Sequence, residues 1–147
     1  LNLITDADTM RLMRHGPYLV EINLISNLLL EYVSEFMEHP FPEYLRMGVP
    51  VALSTDDRGM WDSTMTDEFF VAVKEFNLSW PEIRLLSENS LRYAFLDPDE
   101  RNNLLEKYRG RIAKFEETMK LQGREAHGRP VAPKRGFVCR RYDICAP

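Results

Sequence analysis

Two short apolar runs constrain this chain more than any other feature. One is Leu19-Val20 with Ile22, and the other is Val49-Pro50-Val51-Ala52-Leu53. Each is too short for a helix and is bounded by Gly, Pro, Asn or Ser, so residues 18–23 and 49–53 read as strands. The second run is almost continuously apolar, as expected of a parallel strand covered on both faces. A helix lies between them. His39-Pro40 starts it, since proline tolerates the first helical turn; Phe41, Tyr44 and Leu45 face inward, and Gly48 ends it. Strand, helix, strand is a βαβ unit, and the expected fold class is α/β. Two strands do not make a self-sufficient parallel sheet. The expectation is therefore a slice of a larger barrel, or a piece that borrows strands. The chain starts at Leu1 and opens on an apolar, extended-looking stretch. That start reads as a cut in a longer protein, with the upstream part required to complete the sheet.

The remaining segments read mainly as helices. Residues 6–15 form one, capped by Thr5 or Asp6 and stopped by Gly16-Pro17, with Met10, Leu12 and Met13 on its apolar face. Residues 24–27 read as a loop after the first strand. Residues 28–37 are apolar at helical spacing and irregular in part. A loop is expected over residues 54–61. Thr66 then caps a helix whose buried stripe is Phe69, Phe70, Val73 and Phe76. Ser79-Trp80-Pro81-Glu82 has capping-box spacing and opens another, with Ile83, Leu86 and Ser90 on one side. Asp97-Pro98 opens a third, carrying Leu104, Leu105, Tyr108, Ile112 and Phe115. The pattern decays after Met119. The division is residues 1–122 as the ordered part and residues 123–147 as a loose tail rich in Gly, Pro and Arg.

Composition enters where it excludes classes. Net charge is −4 over 147 residues, with both signs interspersed, so no basic surface for nucleic acid is expected. No apolar run approaches the roughly 18 residues of a membrane span, so no membrane partner is expected. Cys139 and Cys145 stand in the tail without a second Cys or His pair at zinc-knuckle spacing. A disulfide and free thiols both fit them, and the compartment stays open.

In α/β folds, reactive groups gather where strands end. The richer strand end is Ser54-Thr55-Asp56-Asp57, two adjacent carboxylates after a buried strand. A carboxylate there can ligate zinc, and its neighbour can accept a hydrogen bond from a substrate N–H or a protonated ring nitrogen. Asp pairs also serve as turns and helix caps, and spacing alone favours that structural use. The other strand end carries Ser26 and Asn27, which can support the mouth or bond to loop backbone. Met60 and Trp61 can rim the site, although an ordinary packed Trp is the commoner use. His15 stands at a helix C-terminus, where a partly charged imidazole is favourable.

The words around the two aspartates resemble the adenosine deaminase family. Val49-Pro50-Val51-Ala52-Leu53-Ser54-Thr55-Asp56-Asp57 is similar to the family's last-strand motif. Ser26-Asn27, His39-Pro40-Phe41-Pro42 and Gly48-Val49-Pro50 precede it in the family's order; Thr66-Asp67-Glu68-Phe69, Leu78-Ser79-Trp80, Asn89-Ser90 and Phe95-Leu96 follow. The match covers roughly residues 1–110. The resemblance implies a (β/α)8 TIM barrel with one zinc ion (Zn2+) at its C-terminal mouth. Residues 18–23 and 50–54 are then its seventh and eighth strands, and C-terminal helices follow. It implies that Asp56 is the metal-ligating aspartate, catalytic in that it also accepts a hydrogen bond from the attacking water, and that Asp57 binds the substrate purine ring. The implied reaction is hydrolytic deamination of adenosine to inosine and ammonia by a zinc-activated water.

The departures are specific. The family's His-x-His zinc pair, its third zinc histidine, its glutamate general acid and its water-steering histidine belong to earlier strands. None of His15, His39 and His127 stands in a matching context. Arg58 replaces the usual proline after the aspartates, and Asn23-Leu24-Ile25 stands where many members have Cys-Pro. The 147-residue chain alone is expected to be inactive. Three alternatives remain beside the leading reading. They are an AMP deaminase, which uses a similar Leu-Ser-Thr-Asp-Asp segment, a non-catalytic interaction module built from residues 62–122, and a pseudo-enzyme that kept the barrel and lost the histidines.

Overall fold

The computed structural model describes residues 1–123 and 135–146. Its element order is α1 (Ala7–His15), β1 (Val20–Ile22), α2 (Leu24–Leu29), α3 (Phe41–Arg46), β2 (Val51–Leu53), α4 (Arg58–Trp61), α5 (Met65–Phe76), α6 (Trp80–Arg92), α7 (Pro98–Gln122) and α8 (Phe137–Arg141). Among the described residues, β1 and β2 form one parallel pair, with Val20 opposite Val51 and Ile22 opposite Leu53. The ladder extends one bond past each end, from Val20 N–H to Pro50 O and from Ser54 N–H to Ile22 O. Because the strands are parallel, Asn23 and Ser54 leave the sheet side by side. The α-rich architecture with a small parallel sheet agrees with the α/β expectation.

Local chemistry explains most element ends. The Asp6 side chain accepts the Asp8 and Thr9 N–H groups and caps α1. Gly48 follows α3 at φ +72°, a conformation that favours glycine, and lets Val49 N–H return to Tyr44 O before β2 begins. The core lies between the strands and α2, α3, α5 and α6, where Leu24, Ile25, Phe41, Val51, Val71 and Leu86 have no exposed surface.

Six expectations are corrected. Residues 24–27 belong to α2, not to a loop. Residues 54–61 end in the short helix α4. Thr64, not Thr66, caps α5: Thr64 Oγ1 accepts the Asp67 N–H, and the Asp67 carboxylate accepts the Thr64 N–H at 2.7 Å. The expected stripe is also corrected: Glu68, Val71 and Ala72 are the buried residues of α5, while Phe70 and Val73 are exposed. Ser90 of α6 is likewise exposed, and the inner residues of that helix are Leu86 and Asn89.

The sixth concerns the tail. Phe137, Val138 and Cys139 in α8 are buried. Phe137 meets Phe36 edge-on at 6.2 Å and donates its N–H to Asp62 O, Tyr142 packs on Phe70, and Cys139 is disulfide-bonded to Cys145. Arg140 is exposed and pairs with Asp62 at 2.6 Å. His127 lies outside the described residues.

Candidate functional site

The paired strands place two short helices at one mouth. One residue separates α2 from β1, and four separate α4 from β2. Between β2 and α4 the backbone turns at Asp56, which has φ +50°, a left-handed conformation that Asp tolerates better than most residues. The turn brings the Asp56 carboxylate to α2, where Ser26 Oγ donates to Asp56 Oδ2 at 2.8 Å. Ser26 is fully buried and Asp56 is exposed. Ser26 thus supports the mouth, the first of the two roles open to it.

Asp57 occupies the N-cap position of α4, yet its side chain makes no capping bond; its backbone carbonyl accepts the Met60 and Trp61 N–H groups instead. The cap reading of the aspartate pair therefore does not describe how either side chain is used. Met60 is exposed. Trp61 packs against the core, with its Nε1 buried and without a hydrogen-bond partner among the described residues.

His39 has a structural task. Its Nδ1 accepts the Phe41 N–H at 3.1 Å, so its Nε2 carries the proton and donates to Asn27 Oδ1 at 2.9 Å. Burial, with a smaller push from the N-terminal ammonium, lowers its pKa to about 4. The ring is neutral and joins the start of α3 to α2. His15 ends α1 at the surface.

Within Thr66-Asp67-Glu68-Phe69, the structure gives Glu68 a central place. It has no exposed surface, and its carboxyl group accepts N–H groups from Leu24 at 3.0 Å and Ile25 at 3.3 Å. Burial raises its pKa to about 8; the two backbone bonds oppose that shift, and the Asp67 and Asp56 charges add to it. The available signal was a lone carboxylate on the apolar side of an amphipathic helix. Asn89 is the second buried polar residue missed as a contact, with Nδ2 donating to Val51 O at 2.9 Å.

For a metal, the described residues contain no cluster of three or more His, Cys, Asp or Glu able to hold an ion. The donor set nevertheless fits one zinc ligand at this mouth. The Asp56 carboxylate is exposed at a strand end and aimed by one hydroxyl, and a carboxylate has acceptor capacity beyond that bond. The other ligands have to come from outside this set.

The family model described as adenosine deaminase matches residues 1–110. The chain is 34% identical over 96 residues to the adenosine deaminase of Enterococcus faecalis, covering 65% of this chain and 28% of that protein. It is 30% identical over 106 residues to the N6-methyl-AMP deaminase-L of Xenopus laevis, covering 72% and 30%. Among solved structures, the adenine deaminase of Arthrobacter aurescens superposes with a TM-score of 0.69 at 26% identity, covering 75% of this chain and 34% of that one. The N6-methyl-AMP deaminase of Arabidopsis thaliana shares the fold, with a TM-score of 0.66 at 22% identity and coverage of 74% and 32%. A hydrolytic deaminase family is thereby defined, and this chain belongs to the adenosine deaminase family. It spans about three-tenths of the length of these relatives.

Proposed function

We propose that this chain supplies the last two strands and the C-terminal helices of an adenosine-deaminase-type (β/α)8 barrel, and that the complete barrel hydrolyses adenosine to inosine and ammonia. Residues 1–122 form the barrel portion, and residues 123–147 are an appendage to it. The observation that carries the reading is the Ser26–Asp56 bond across the mouth of two parallel strands, inside the family-matched segment.

In this reading Asp56 is the zinc ligand and catalytic carboxylate. Ser26 holds one of its oxygens, which limits the rotamers available to the other. Asp57, displayed at the start of α4 without a capping duty, accepts a hydrogen bond from the purine and orients C6 toward the attacking water. Bound zinc supplies the Lewis acidity that makes a water nucleophilic near neutral pH. Water adds its oxygen at C6, and the exocyclic amine leaves as ammonia after gaining a proton. A zinc site needs three or four protein ligands, so the 147-residue chain alone is expected to be inactive and to bind zinc weakly. Stoichiometric zinc together with adenosine turnover by this chain would overturn that expectation.

The nucleotide reading rests on the Xenopus relative, whose name assigns it an AMP derivative. Turnover of adenosine, AMP and N6-methyl-AMP by the complete enzyme separates the two. Preference for adenosine by at least about tenfold in kcat/KM supports the nucleoside reading. The opposite preference moves the substrate to the nucleotide, and no turnover of any of them supports the pseudo-enzyme.

A further inference from the structure

Glu68 is a fully buried carboxyl group to which the mechanism above assigns no task. It projects from the first turn of α5 and reaches the beginning of α2, where Leu24 N–H donates to Oε2 and Ile25 N–H to Oε1. The first amides of a helix have no intrahelical acceptor. A helix as short as Leu24–Leu29 does not hold itself in water. One residue after Ile25, the same turn of α2 carries Ser26, whose hydroxyl donates to Asp56 at 2.8 Å. Hydrogen bonds and one turn of backbone therefore run without a gap from α5 through α2 to Asp56.

Two features make the link consequential. Asp56 stands at positive φ, outside any regular element, so no strand or helix geometry sets the direction of its side chain. Among the described residues, its carboxylate takes its one hydrogen bond from Ser26. In this chain both carboxyl oxygens of Glu68 have a backbone donor.

We propose that Glu68 is a positioning residue for Asp56. Its carboxyl group fixes the first turn of α2 and so aims Ser26 at the Asp56 carboxylate. The inference rests on the role proposed for Asp56, and Glu68 itself touches neither substrate nor metal.

The test uses the complete enzyme with Glu68→Ala, Glu68→Gln, Ser26→Ala and the Glu68→Ala/Ser26→Ala pair. Glu68→Ala and Ser26→Ala are each expected to lower kcat by about 10- to 100-fold, the range for loss of a residue that orients a ligand. KM for adenosine should stay within about twofold, because purine binding is left intact. The double variant should be no worse than the weaker single variant, since both act along one path. Glu68→Gln keeps an acceptor oxygen and should recover most of the rate. Wild-type kcat in Glu68→Ala, or effects that multiply in the double variant, would overturn the proposal.

Amide exchange gives a readout that does not depend on deaminase activity. In Glu68→Ala the amides of residues 25–27 should exchange faster while that of Leu86 in α6 does not change; unchanged exchange at 25–27 overturns the positioning role even if the wild type proves inactive. A wild type inactive on every aminopurine counts against the function, not against this link. Should Glu68→Ala fail to fold, Leu24→Pro removes one donor at a position where proline suits a helix start. It should lower kcat by about 2- to 10-fold, the worth of one hydrogen bond, and an unchanged kcat would overturn the proposal.

Discussion

The strand mouth and the α6–α7 arm are held together by opposite means. At the mouth, buried polar groups join elements distant in sequence: Glu68 to α2, Ser26 to Asp56 and His39 to Asn27. The outer faces of α6 and α7 meet through solvated charges instead. Glu88 pairs with Arg92 and Arg109, and Glu116 accepts bonds from Trp80 Nε1 and Arg84. Buried bonds are directional and costly to break, whereas exposed ion pairs contribute little. The difference implies that geometry matters at the mouth and that the arm tolerates change.

The sharpest way to break this comparison is at the mouth. In the complete enzyme, Asp56→Ala should abolish zinc-dependent turnover, a loss beyond the roughly 10- to 100-fold that removal of a supporting partner costs. Asp57→Ala should chiefly raise KM. An Asp56→Ala enzyme with normal zinc content and rate would refute the ligand assignment.

Next in size is the packing that seats α6 against β2. Leu86 is completely buried there, and Leu86→Ala should destabilise the protein by about 2–5 kcal/mol in urea unfolding.

Titration sharpens the contrast further. His39 has its folded pKa depressed from 6.5 to about 4, so the unfolded chain binds its proton first and stability falls as pH drops from about 6.5 toward 4. Glu68 has its folded pKa raised from 4.5 to about 8, so the folded chain keeps its proton longer and stability falls as pH rises from about 4.5 toward 8. The two slopes oppose each other between 4.5 and 6.5, which predicts a plateau there and a decline on either side. Urea midpoints across pH should show that shape, and Glu68→Gln should flatten the alkaline limb. An unaltered alkaline limb in that variant would discount the buried carboxyl.

The smallest effect belongs to the arm. Glu88→Ala removes both of its arginine partners, and the loss should be about 1 kcal/mol or less because both arginine side chains are about half exposed. A loss comparable to that of Leu86→Ala would erase the distinction between the two regions.

How much of this was legible in the sequence depends on the range of the interaction. Asp6, Gly16, Gly48 and Ser79 announce element ends because a cap or a stop acts within a few residues. The cap of α5 was misplaced by two residues, since Thr64 and Thr66 are both plausible acceptors and only the Asp67 contact distinguishes them. Helix α2 was missed altogether. Asn23 stands at the N-cap without making a capping bond, and the acceptor for the helix's first amides stands more than forty residues away in Glu68. The buried α8 was missed for the same reason. Phe137 and Tyr142 are two ordinary aromatics in an Arg-rich stretch until Phe36 and Phe70 come beside them.

The sequence by itself determined that two parallel strands end in polar loops, that the second carries the Asp56-Asp57 pair, and that the flanking words are those of one deaminase family. Period, turn chemistry and motif order are local properties, written along the chain. Only the tertiary structure decided which groups serve those aspartates. Parallel pairing sets Asn23 beside Ser54, which brings Ser26 within 2.8 Å of Asp56 and leaves Glu68 beneath α2 as the acceptor for its first turn. Those contacts join residues 30 and 44 positions apart, and no local pattern records them, because the free energy that aligns them belongs to the packed core and not to any one segment.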